Sequence, residues 1–151
     1  MSDIAPPARL RPRRRSLTIL LHWSVALLVL MMIKGGSGAP VLRWSFVAVG
    51  GLWVAIAVAR GLNGHPGPKL QGALRAGFAP AHWGMYGLVA VAVLLNAGEL
   101  IGWIAPGPAW TALLVILSAS ALHGLFHFWR HTVLRDNALR MIFPRSWHKH
   151  L

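Results

Sequence analysis

The chain has 151 residues, 56% of them hydrophobic, and a formal net charge of +12. Charged residues make up 12% of it, about half the ~25% usual in soluble domains, which argues against an ordinary soluble fold. The basic balance would raise nucleic acid as a partner, but the cations stand in blocks at the ends of apolar segments, so nucleic acid is set aside; the absence of cysteine excludes disulfides, Cys-ligated clusters and covalently attached haem.

The N-terminal segment, residues 1–16, reads "MSDIAPPARLRPRRRS" and is a basic tail. It precedes an apolar run, as in a signal peptide, but the run is long and no convincing small-residue cleavage site follows. It is read as an uncleaved first span, Leu17 to Ile33. A second span covers Val41 to Ala59, a third Pro80 to Ile104 and a fourth Trp110 to Val133, and residues 134–151 form a second basic tail. Each run approaches or exceeds the ~20 helical residues that cross a ~30 Å hydrocarbon core. Helix is the form expected, because backbone groups in lipid must be satisfied within the segment. The fold class expected is therefore all-α, a four-transmembrane-helix bundle forming a single membrane domain over residues 1–151.

Thirteen of the fifteen Lys and Arg residues fall in the two tails, at the end of the fourth span and in the 60–79 connection; only Lys34 and Arg43 lie on the other side. The positive-inside rule then places both termini in the cytoplasm. Six tryptophans (Trp23, Trp44, Trp83, Trp103, Trp110, Trp129) fall near span ends, where interfacial anchors belong. Glu99, the only acid within a span, stands near Asn96 and is expected to pair with Lys34 or Arg43.

Ionisable residues inside a span are functional candidates. His22, His82, His123, His127 and His131 all fall in the cytoplasmic half. Along the fourth span His127 lies ~6 Å and His123 ~12 Å deeper than His131. These three share a helix face, drifting ~40° per step of four. Two imidazoles from facing helices at matched depth make a haem b site in a helical bundle. Depth pairs His22 with His127 or His123, and His82 with His131 or His127. Gly50, Gly51, Gly84, Gly87 and Gly124 offer close approach for the ring. The plainer readings are a headgroup-level His131, an interhelical hydrogen bond for His127 and a snorkelling His82. His65, His148 and His150 lie in a connection or the tail and are read as ordinary surface residues.

Three stretches, "LTILLHWSVALLVL", "AHWGMYGLV" and "ALHGLFHFWRHTVLRDNALRMIFP", resemble the first, third and fourth spans of the bacterial cytochrome b561 family in order and spacing. The resemblance implies an inner-membrane four-helix cytochrome with non-covalent b-type haem, usually two, passing electrons to or from a quinone such as ubiquinone or a redox protein. In one branch superoxide is the donor. His22, His82, His123 and His131 match family histidines. The family's second-span His is missing, with Val47 at its place, and Arg130 replaces the first member of the fourth-span pair, a role His127 can take over. One haem rather than two is therefore expected, its iron held by His22 with His123 or His127, with His82 and His131 left for a second haem or another pairing.

The function expected is single-electron transfer, making the chain a quinone-linked electron-transfer oxidoreductase. Its partners are the lipid bilayer, a quinone or redox protein, and a larger membrane complex. The competing reading is a haem-free accessory or anchor subunit of a respiratory or photosynthetic complex. A small transporter is disfavoured, because proton relays need chains of ionisable groups and Glu99 stands alone.

Overall fold

The structure is a computed structural model and describes residues 12–150. In chain order it has α1 (Pro12–Ile33), α2 (Pro40–Arg60), the five-residue α3 (Gly72–Ala76), α4 (Phe78–Leu100) and α5 (Pro108–Thr132), with short 3-10 turns at Gly36–Gly38, Ala138–Met141 and Arg145–His150. No strand occurs among the described residues. The four long helices each contain a stretch long and apolar enough to cross a membrane. Only 22% of the most apolar window of α1, and 17% of the others, is buried in the protein. Large apolar side chains such as Leu20, Leu27, Leu94, Leu122 and Leu125 point outward, each more than half exposed. Such a surface needs a bilayer as its solvent, and the all-α, four-span architecture is the one expected from the sequence.

The helix ends have local causes. α1 begins at Pro12, five residues before Leu17, because two arginines of the basic segment are used structurally. Arg14 donates to the carbonyls of Arg60 (2.7 Å) and Gly61 (2.9 Å), capping the end of α2. Arg15 donates to the carbonyls of Arg140 (2.6 Å) and Phe143 (3.0 Å) in the C-terminal segment. Cations at helix C-terminal carbonyls satisfy groups that lack intrahelical partners and suit the dipole. The rest of the basic segment, residues 1–11, lies outside the described residues.

α4 stops at Leu100, short of Ile104. The Gly98 carbonyl accepts from the N–H groups of Trp103 (2.8 Å) and Ile104 (3.2 Å), and Gly102 sits at φ 76°. Ile104 folds back so closely that a Cβ on Gly98 would lie 2.5 Å from its Cδ1. The turn is thus built on two glycines, one for conformation and one for space.

Around the bundle, α1 packs on α2, α2 on α4 and α4 on α5, whereas α5 meets α1 only thinly. The core of Val25, Val29, Met32, Phe46, Val89, Ala92, Leu113 and Ile116 fills the half nearest the two short helix connections, here the distal half. A Cβ on Gly50 would lie 2.9 Å from Val93 Cγ2, so that glycine serves the close approach of α2 to α4, as small residues do in membrane bundles.

A polar cluster closes the distal end. Arg43 meets the Glu99 carboxylate at 2.7 Å and donates through Nε to Asn96 Oδ1 at 2.9 Å. The other Glu99 oxygen accepts from the backbone N–H of Gly107 (3.0 Å) and Ala109 (2.8 Å). One carboxylate therefore ties α2 to α4 and caps α5, with Arg43 as its partner rather than Lys34. Both of its oxygens are thus used in holding the distal end together. Replacing Glu99 with Ala is expected to cost about 2 kcal/mol, the size of losing charge-assisted hydrogen bonds, seen as a lower unfolding midpoint of the detergent-solubilised chain; Lys34→Ala should leave that midpoint unchanged.

Candidate functional site: a histidine-lined cavity in the basal half

Small residues and the thin α1–α5 seam leave the other half of the bundle, the basal half where both ends of the described chain gather, unfilled. A cavity of about 450 Å³ opens there, lined by α1, α4 and α5, by Trp53 of α2, by residues 62–65 and by the C-terminal segment. Most of its wall is apolar, with Val25, Val29, Phe78, Val89 and Ile116 among the lining residues. Its volume lies within the ~300–1,000 Å³ usual for cofactor and ligand sites.

Four of the five candidate histidines line it: His22, His82, His123 and His127. His131, one turn beyond His127, does not. His22 enters from α1, with its ring 5.5 Å from those of Trp23 and Trp53. The other three stand together on α4 and α5. Their ring centroids are 4.5 Å apart for His123 and His127, 5.1 Å for His82 and His123, and 5.4 Å for His82 and His127. Each has a ring nitrogen within 4.8 Å of one from each of the others. His123 and His127 meet because a spacing of four puts them on one helix face. The sequence reading set His82 opposite the α5 histidines across a ring plane, but α4 and α5 are neighbours in the bundle, so His82 joins them on one side.

His82 is oriented by its own helix. Its Nδ1 lies 2.7 Å from the Phe78 carbonyl oxygen. A carbonyl only accepts, so Nδ1 carries the proton and Nε2 presents a lone pair. This carbonyl-anchored imidazole is the arrangement that fixes metal-binding histidines. The Phe78 ring backs His82 at 4.0 Å between centroids.

Of the glycines proposed for close approach, Gly124 lines the cavity, and a Cβ there would meet nothing within 4 Å. Gly50 is taken up by helix packing. Gly84 and Gly87 are exposed and outside the cavity lining.

The floor of the cavity holds a buried ion pair that the sequence did not reveal. Arg130 is 4% exposed. Its Nη2 and Nε meet Asp136 Oδ2 at 2.6 and 2.7 Å, and Asp136 Oδ1 accepts from the Ala138 N–H at 2.9 Å. The guanidinium also lies 5.2 Å from the Phe78 ring centroid. The turn that brings Asp136 back passes through positive φ at Arg135 (50°) and Asn137 (60°). Gly67 lets the 61–71 connection pass close over this pair, since a Cβ there would lie 3.0 Å from both Arg130 Nη2 and Asp136 Oδ2. "RDNALRM" is thus a loop that folds an acid back onto the last turn of α5. Arg15, Asn63, His65, Trp53 and Tyr86 also line the cavity and were not singled out as site residues. The buried Trp53 Nε1 lacks a protein partner, leaving a donor at the wall. Their sequence neighbourhoods carry no pattern that marks them, because α1, the 62–65 segment and mid-α2 meet only in the folded bundle.

No family model, no curated protein and no solved structure matches the chain.

Removing one member of a buried ion pair leaves the other uncompensated. Asp136→Ala is therefore expected to destabilise the chain by about 3 kcal/mol, and the double change Arg130→Met with Asp136→Leu to recover most of the loss, both read as unfolding midpoints in detergent.

Proposed function

We propose that this chain is a b-type cytochrome of the membrane that carries single electrons to or from a quinone or a redox protein, as its resemblance to the bacterial cytochrome b561 family implies. The observation that carries the reading is the apolar cavity with His22 on the α1 side and His123 and His127 on the α5 side. The lining fits the group. The walls are mostly apolar, unoccupied space stands over Gly124, and imidazoles come from helices that barely touch one another. The distal half, where a second haem would sit, is filled by Met32, Phe46, Ala92 and Leu113, which supports one haem rather than two.

A haem held by two imidazoles supplies one-electron exchange without an open coordination position. The chain's own residues do the rest. His22 and either His123 or His127 would hold the iron. The Phe78 carbonyl keeps His82 in one tautomer beside them. The Arg130–Asp136 pair and the 62–70 connection close the basal side against water, and a drier site strengthens each polar contact within it. Electron exchange with a quinone or protein would take place through this basal end, which lies in the cytoplasmic half if the positive-inside pattern sets the orientation. On this reading the chain is a multi-pass protein of the bacterial inner membrane with both termini inside, and its reaction class is that of a quinone-linked oxidoreductase.

Histidine substitutions test the ligand assignment. His22→Ala is expected to abolish the Soret band of the purified chain, and His131→Ala, outside the cavity, to retain it. Haem content that is the same in both variants would contradict the assignment.

A further inference from the structure

His82, His123 and His127 cluster on the neighbouring helices α4 and α5, with ring centroids 4.5 to 5.4 Å apart. We propose that in the haem-free chain these three imidazoles form a tripodal site for a bare monovalent copper ion, Cu⁺, a second binding capacity of the same cavity that haem would displace. Three ring nitrogens stand within 4.8 Å of one another. An ion bound tetrahedrally at ~2.0–2.1 Å per Zn–N-type bond brings its ligands to ~3.3 Å apart, a contraction that ring rotation supplies. His82 is already set for this, with Nδ1 held by the Phe78 carbonyl at 2.7 Å and Nε2 left to coordinate.

The choice of ion follows from charge. Imidazole nitrogen suits zinc, copper, iron and nickel. Among the described residues no carboxylate lines the cavity wall, and Asp136 beneath it is committed to Arg130 and to the Ala138 N–H, so no anionic ligand is free for an ion. Burying an ion without an anionic ligand is costly, and the cost climbs steeply with its charge. A monovalent ion is thus favoured over Zn²⁺. Met85, three residues beyond His82 on α4, lines the same cavity and offers a thioether, a donor that selects Cu⁺.

The experiment is a competition titration of Cu⁺ against a chromophoric chelator under ascorbate. It uses the full chain purified in detergent from haem-starved cells. One equivalent retained per chain is expected, lost in His82→Ala and in His127→Ala and kept in a His148→Ala, His150→Ala double variant; circular dichroism would show that the variants keep their helices. Three outcomes would overturn the proposal: no copper retained, retention that survives both cavity substitutions, or displacement of Cu⁺ by equimolar Zn²⁺. Haem is read separately from the Soret band of the haem-replete chain, so either result stands or falls without the other.

Discussion

A bilayer offers no partner to a polar group, so each polar side chain placed among these helices has to be matched within the protein. The two ion pairs obey this closely. Arg43 and Glu99 lock the distal end, and Glu99 adds two backbone donors at the start of α5. Arg130 and Asp136 lock the basal end, and Asp136 adds the backbone donor of Ala138. In each case the acid reaches a backbone N–H with the oxygen its arginine leaves free. The two locks account for both carboxylates within residues 12–150.

The histidines stand apart from that economy. Four of them face one cavity, and His82 is the one of these four whose ring nitrogen is anchored on a backbone carbonyl. Packing explains where they can be tolerated. The distal half is filled by interlocked Val, Met, Phe, Ala and Leu side chains, whereas the basal half has the thin contact between α1 and α5 and small residues such as Ala26, Ala121 and Gly124 along its walls. Imidazoles lining that space are costly in lipid unless satisfied, and the proposed metal centre would satisfy them.

The four helices were legible because hydrophobic length in a chain so short of charge has few other meanings. The histidine face of α5 was legible from a spacing of four. The ends of α1 and α4 were not, since they depend on Arg14 and Arg15 reaching carbonyls dozens of residues away and on Ile104 folding over Gly98. Neighbour relations were also hidden. Depth alone matched His82 with the α5 histidines as opposed ligands, and only the packing order α1–α2–α4–α5 reveals that they share a side. The ion pair of Arg130 was hidden because a linear reading cannot foresee that Asp136 turns back through two left-handed residues to meet it.

The account rests on the cavity's holding a haem iron, and the most direct measurement is a reduced-minus-oxidised absorption spectrum of the purified full-length chain with pyridine haemochrome quantification. The account predicts a b-type difference spectrum and one haem per polypeptide. A well-folded chain purified from haem-sufficient cells that shows no Soret band would contradict it.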